Sequence, residues 1–414
     1  MSDSLEYQQH TFPNGIRLVH KQVMHTKLAH CGFMLDVGSR DEKTDQIGIA
    51  HFWEHMAFKG TTKRKAFHII NSLESVGGEL NAYTTKEKIC FHASLLVNFF
   101  DKAVDILTDI TFNSIFPEKE IEKERGVILE EMSMYLDAPE DAIHDEFDDV
   151  IYQNHALGYN ILGTEASVKS FQKSDFEKFI KENIDTSKII FSSVSNLPFE
   201  KVIKTVERYL TEIPTLSCTR ERTKFDIYTP KYEVRTKTTN QAHCVFGKPS
   251  YAVESDKRLP FFMLNNILGG PGMNSRLNLV LREKYGYVYG VDASFTSYID
   301  TGLFNIYFGT EKKHLQRCID LVNKEMKRMK ETPLGTTQLH VAKAQLMGQL
   351  AMSEESNSNF MLMMAKSMLD LGKIDTLNTI FDLIKNVSAQ NLQDLANEMY
   401  DFDSFSYLIY NPKS

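Results

Sequence analysis

The sequence is poor in cysteine, has no long apolar run and carries no excess of basic charge. Its five cysteines, Cys31, Cys90, Cys218, Cys244 and Cys318, stand far apart and form no C-x-x-C pair. That argues against a disulfide framework or a cysteine zinc site and reads as buried free thiols. No apolar stretch approaches the ~18 residues that a membrane-spanning helix needs. Basic residues number 47 against 55 acidic ones, a net charge of −8. This balance speaks against a nucleic-acid binder and is compatible with a mild preference for basic substrates. The start, Met1-Ser2-Asp3-Ser4-Leu5-Glu6, offers neither a basic n-region nor an apolar core, so it does not read as a secretory signal. The expectation is a cytoplasmic protein with no membrane or nucleic-acid partner. With 42% hydrophobic and 25% charged residues in a chain of 414, an ordinary globular protein of about two to four domains is expected.

What is present is concentrated in Ile49-Ala50-His51-Phe52-Trp53-Glu54-His55-Met56. On a helix, His51 and His55 lie one turn apart on the same face. Two imidazoles so placed can hold one Zn²⁺, and Glu54 points into the same space, within reach of a water there. A third ligand has to come from elsewhere in the chain.

The surrounding pattern is mixed. Residues 8–23 read as a hairpin turning at Asn14-Gly15. Alternation through Cys31, Phe33, Leu35 and Val37 predicts a strand over 28–37. A helix is expected over 65–76, ended by Gly77-Gly78, then two extended segments within 79–97 around Thr84 to Lys88. Helices follow over 99–113 and from Pro117 to about Asp137, a strand at 189–194, and a helix from Pro198 to about Thr211. The polar, aperiodic stretch 214–230 marks a domain boundary, taken as 1–220 and 221–414. Beyond it a similar order recurs: strands at 232–250, helices at 258–268 and 275–283, strands at 287–309, long helices from 312 to about 386 and a last strand at 405–410. We read this as a distant duplication, argued from element order alone. The second half has no counterpart of the two histidines. A helix over 339–370 carries Met347, Met352, Met361, Met363, Met364 and Met368, which fits irregular core packing better than a metal site.

Candidate third ligands lie in Glu122-Lys123-Glu124-Arg125-Gly126-Val127-Ile128-Leu129-Glu130-Glu131-Met132. Glu124 and Glu131 stack on one helical face, two turns apart. Acidic positions on helices are commonly no more than solvated, and spacing alone does not choose between these two.

His51-Phe52-Trp53-Glu54-His55 followed by Glu131 resembles the pitrilysin/insulinase family, whose H-x-x-E-H motif inverts the usual order of zinc-peptidase helices. The resemblance extends over essentially the whole chain. Gly77-Gly78-Glu79-Leu80-Asn81-Ala82-Tyr83-Thr84 looks like the family's edge strand, and Leu281-Arg282-Glu283-Lys284-Tyr285-Gly286-Tyr287-Val288-Tyr289 like its L-R-E-x-x-G-x-x-Y segment. The size is similar to the subfamily around processing peptidases, in which one chain holds two repeats. The fold implied is α+β: two homologous α/β-sandwich repeats, each an antiparallel-rich sheet with helices packed on it, assembled as a clam-shell dimer.

The activity implied is a zinc endopeptidase with one Zn²⁺ per chain on His51, His55 and Glu131, working on unfolded or short peptides in an enclosed chamber. Glu54 is then the general base and Glu124 supports the site from outside. Arg282 and Tyr289 bind substrate, Tyr289 as oxyanion donor. Asn81 and Ala82 offer a backbone edge to the peptide. In long family members the arginine/tyrosine segment comes from the half opposite the zinc, so here it is expected to act in trans within a homodimer. A heterodimer with an inactive homologous subunit is the alternative, and a non-catalytic peptide-binding subunit a more distant one. One departure stands out: after Thr84 the family often shows E-x-T-x-Y, where this chain has Glu87-Lys88-Ile89-Cys90-Phe91. That loses two hydroxyls expected near the cleft and bears on specificity.

Overall fold

In a computed structural model residues 7–413 are described; the polar start 1–6 and Ser414 lie outside the described residues. The chain forms two compact units. The first holds a six-stranded sheet in the order β1-β2-β6-β3-β5-β4, made of β1 Gln8–Thr11, β2 Arg17–Gln22, β3 Leu28–Leu35, β4 Glu79–Thr84, β5 Ile89–Leu96 and β6 Ile189–Ser195. Only the β2–β6 pair is parallel. The second unit holds β7 Tyr232–Lys237, β8 Ala242–Ser250, β9 Val288–Ser297, β10 Gly302–Thr310 and β11 Ser406–Pro412, in the order β7-β11-β8-β10-β9. Again one pair, β7–β11, is parallel. Matched in chain order, β7 to β11 occupy the places of β2 to β6. The duplication read from element order is therefore a duplication of topology, with β1 added to the first sheet.

Each sheet is a two-faced layer. In the first unit, Phe33, Leu35, Phe91 and Phe191 point to the side covered by helices Ile49–Ala57, Phe100–Phe112 and Phe199–Leu210, whose apolar stripes complete the main core. On the other side, Val19, Met34, Cys90, Ile190 and Val194 meet Phe360, Met361, Met364 and Met368 of helix Asn357–Leu371. This is why β6 is buried along its full length. The second unit repeats the arrangement, with helix Pro139–Ile151 against Val245, Leu408 and Tyr410.

The compact units are thus not the contiguous halves 1–220 and 221–414. The chain does break between Arg222 and Thr223, but residues 134–158 belong to the second unit and 352–376 to the first. Each sheet takes the helix on one face from the opposite half of the sequence, because amphipathic stripes are satisfied in space and not in chain order.

The single helix expected over 339–370 is two helices, Thr336–Glu354 and Asn357–Leu371. Ser356 starts the second by accepting from Asn359 N–H through its hydroxyl. Of its methionines, Met361, Met364 and Met368 are core residues, while Met352 is exposed. Four of the five cysteines are buried and all are free thiols. Among the described residues no helix is long and apolar enough to cross a membrane.

Candidate metal centre

The histidine helix, Ile49–Ala57, is fixed by what it buries. Phe52, Trp53 and Met56 have no exposed surface, so the opposite stripe, His51, Glu54 and His55, is turned away from that core. The two imidazoles stand 4.6 Å apart between ring centroids. The glutamate helix, Glu118–Asp137, seats itself through buried Ile121 and Ile128. The same register buries Glu124 and turns Glu131 toward the histidines. Glu130, one residue earlier, is exposed.

Glu131 Oε1 lies 3.8 Å from His51 Nε2, and Glu131 Oε2 lies 3.6 Å from His55 Nε2. One ligand atom from each of the three residues can be chosen so that all lie within 4.8 Å of one another, and no other such group occurs among the described residues. Ligands about 2.0–2.2 Å from a tetrahedral zinc lie roughly 3.3–3.6 Å apart, so the donor set suits that ion once its atoms, now within 4.8 Å of one another, draw together by up to about 1 Å. The protonation states suit it as well. Burial, and then the neighbouring His55, push the pKa of His51 down to about 3, which keeps it neutral and able to ligate at neutral pH.

Between the two carboxylates that spacing left open, the geometry divides the work. Glu124 Oε2 sits 3.3 Å from His55 Nδ1, the nitrogen facing away from Glu131, and its Oε1 pairs with Lys59 Nζ at 2.7 Å. Burial pushes the Glu124 carboxyl up, but the hydrogen bonds from His55 and Lys59 outweigh it and hold the group below its ordinary range. Glu124 is therefore placed to orient the ring of His55.

Glu54 is mostly buried, and burial raises its pKa against the opposing pull of Thr84 and His55. Thr84 Oγ1 donates to Glu54 Oε2 at 2.6 Å. Thr84 ends β4, which pairs with β5 alone and forms the edge of its sheet. Asn81 and Ala82 lie on that edge strand, so its outer backbone groups are available for pairing. Before it, Gly77 adopts φ +71°, and a Cβ on Gly78 would come 2.9 Å from Leu95 Cβ. The chain turns there as the glycine pair suggests.

The charged side chains of the turn after Thr84 are paired and buried. Lys86 Nζ donates to the Tyr159 carbonyl at 2.7 Å, Glu87 pairs with Arg40 at 2.6 Å and Lys88 with Asp370 at 2.6 Å. These contacts clamp the edge strand at its end, while the two positions that depart from the family pattern, Ile89 and Phe91, are core residues of β5. Sequence reading missed Thr84 and Lys59 as partners of the site. Neither offers a signal beyond its type, since both contacts join residues far apart in the chain.

Arg282 and Tyr289 lie in the second unit. Arg282 is on a π-helical stretch, Asn278–Lys284, and Tyr289 is on β9, the edge strand equivalent in topology to β4. Tyr289 is 88% exposed, with the guanidinium 5.7 Å from its ring centroid. A core role for Tyr289 is excluded. His144 and His155 have ordinary partners, a ring contact with Tyr307 and a hydrogen bond to the Thr223 carbonyl.

A His/His/Glu donor set with a free carboxylate beside it, on a repeated α+β scaffold, defines a protein of the metallopeptidase type. The chain matches the family described as Insulinase (Peptidase family M16) over residues 17–165 and that described as Peptidase M16 inactive domain over residues 170–346. It is 34% identical over 396 residues, 96% of either chain, to the uncharacterized zinc protease YmxG of Bacillus subtilis. It is 32% identical over 400 residues, 96% of this chain and 95% of the relative, to an uncharacterized zinc protease of Rickettsia felis. Among solved structures, a peptidase M16 inactive domain from Pseudomonas fluorescens superposes with a TM-score of 0.91, covering 99% of both chains at 16% identity. A protease from Helicobacter pylori superposes with a TM-score of 0.90, covering 98% of this chain and 99% of that one at 19% identity. These two show the shared fold. The chain belongs to the insulinase-type peptidases of family M16.

Proposed function

We propose that the chain is a zinc endopeptidase acting on extended, unfolded or short peptides, with one Zn²⁺ held by His51, His55 and Glu131. The observation that carries this is the convergence of those three donors, with Glu54 next to them and a free sheet edge ending at Thr84. Zinc in such a site supplies Lewis acidity, lowering the pKa of water towards about 7 and polarising a carbonyl. Thr84 fixes one carboxylate oxygen of Glu54 and leaves Oε1 to take a proton from the attacking water. Glu54 then passes that proton to the departing amine. Asn81 and Ala82 pair with the peptide backbone as an added strand, which selects extended substrates with little demand on sequence.

Arg282 and Tyr289 complete the reading, with the Tyr289 hydroxyl donating to the oxyanion and Arg282 binding the peptide. Their support is the family resemblance together with the exposure of Tyr289 on an edge strand. Because the chain has two repeats where long family members have four, this segment acts on the zinc site of a second, identical chain. Chains carrying His55→Ala and Tyr289→Phe should each be nearly inactive, and mixing them should restore up to about a quarter of the parent activity, the share of sites with both parts intact after random exchange into dimers. No recovery despite demonstrated subunit exchange would exclude action in trans.

The basic reading is tested on the purified chain by zinc analysis and a quenched-peptide assay. Hydrolysis should stop with a chelator and return with Zn²⁺. A chain that binds peptides but neither metal nor cleaves would show a binding subunit, and activity appearing only with a second, homologous protein would show the heterodimer.

A further inference from the structure

The two histidines of the site are anchored in different ways. His55 is gripped through its ring, where Nδ1 meets Glu124. The corresponding Nδ1 of His51 is buried and has no hydrogen-bond partner, on a residue only 8% exposed. The direction of the His51 ring is therefore set by packing and by the backbone beneath it.

That backbone is the first turn of the histidine helix, where amides have no partners within the helix. The N-cap position is Gly48, at φ +98°, which has no side chain to offer. Glu42 takes over the task from the preceding loop. Its Oε2 accepts from the Gly48 N–H and its Oε1 from the Ala50 N–H, both at 2.8 Å. Glu42 is 6% exposed.

Two other contacts steady the same turn. Ser167 Oγ donates to the Ile47 carbonyl at 2.6 Å, and Gly48 packs so closely on Gly163 that a Cβ would come 2.7 Å from its Cα. Of the three, only Glu42 holds amides of the turn itself, and Ala50 directly precedes His51.

A serine or asparagine at the cap would satisfy one amide and serve the helix alone. The carboxyl group of Glu42 grips two amides at once. The two-point grip fixes rotation of the first turn about the helix axis. That rotation is the motion that swings His51 towards or away from Glu131. Burial pushes the Glu42 carboxyl well up in pKa against the pull of the two amides, so the grip rests on hydrogen bonding through both oxygens and not on charge.

We propose that Glu42 is the positioning residue for His51, supplying through the backbone what Glu124 supplies to His55 through the ring. The proposal rests on the zinc reading of His51, His55 and Glu131. Its test uses the full-length parent, Glu42→Gln and Glu42→Asp. For each, the zinc dissociation constant is measured by chelator competition, the visible spectrum with Co²⁺ in place of zinc, and Tm without metal. Glutamine keeps the shape but turns an NH₂ towards one of the two amides. Zinc affinity should fall about 10–100-fold, as for outer partners of metal ligands elsewhere, with an altered Co²⁺ spectrum. If Glu42→Gln does not fold, Glu42→Asp retains the carboxyl group, withdraws it by one methylene and should shift both readouts in the same direction. A lowered metal-free Tm with unchanged zinc affinity and Co²⁺ spectrum would show a helix cap and nothing more, overturning this inference alone. A parent that binds neither ion would overturn the zinc reading and this inference with it.

Discussion

Glu54→Gln is expected to lower kcat by about 10²–10⁴-fold, the usual worth of a positioned general base, while the purified protein keeps its zinc. Glutamine is nearly isosteric with glutamate, and its carbonyl can still accept from Thr84 Oγ1, so the helix face and the three ligands should not move. What disappears is the ability to take a proton. The raised pKa of Glu54, which comes first from burial, brings the base nearer to the operating pH, where proton transfer in both directions is efficient. Activity, zinc content and Tm measured on the same preparation separate the possibilities. An inactive variant that retains zinc and stability supports the base; one that retains more than a tenth of the activity assigns the proton to another group. Loss of zinc together with activity would instead give Glu54 a part in holding the metal.

The second large effect concerns the fold. A chain ending at residue 222 contains the whole first sheet and all three donor residues, yet it should not fold cooperatively. It lacks helix Asn357–Leu371, whose Phe360, Met361, Met364 and Met368 cover β2, β6, β3 and β5. At about 1.5–3 kcal/mol for each large apolar side chain fully buried, these four residues contribute roughly 6–12 kcal/mol. That equals most of the ~5–15 kcal/mol by which a protein is stable at all. The polar exposed face of an ordinary antiparallel sheet is not available as a fallback, because Val19, Met34, Ile190 and Val194 would face water. Circular dichroism melting and zinc binding of 1–222, with and without a linked copy of 352–376, test this. A cooperative, zinc-binding 1–222 would show that the exchanged helix is dispensable.

The local parts of the site were legible because local spacing is what a helix preserves. His51, Glu54 and His55 lie within two turns, and Phe52, Trp53 and Met56 state which side is buried. Glu131 and Glu124 could be placed on one face by their separation of two turns. Their different duties came from the family resemblance and not from spacing, since they depend on which side of the His55 ring each carboxylate meets. Strands and turns were legible for the same reason, from alternation and from Asn14-Gly15 and Gly77-Gly78. Residues 139–188 were not assigned, although they form helices Pro139–Ile151, Glu165–Ser170 and Lys173–Asn183. The first of them is amphipathic, but amphipathy names a buried face without naming what covers it.

By itself, then, the sequence determined most of the elements outside 139–188, their repeated order, the candidate metal-binding residue types and the family. These follow from periodicity and from short motifs, which are properties of neighbouring residues. Only the tertiary structure decided that each sheet borrows a helix from the other half of the chain, that Lys86, Glu87 and Lys88 are internal clamps, and that Thr84 and Glu42 hold Glu54 and the first turn of the histidine helix. Apart from Glu42, six and eight residues from the amides it holds, each of these is a contact between residues far apart in the chain. Such contacts are selected by the shape and hydrogen-bonding need of a buried surface, and that surface exists only once the sheets and helices have packed.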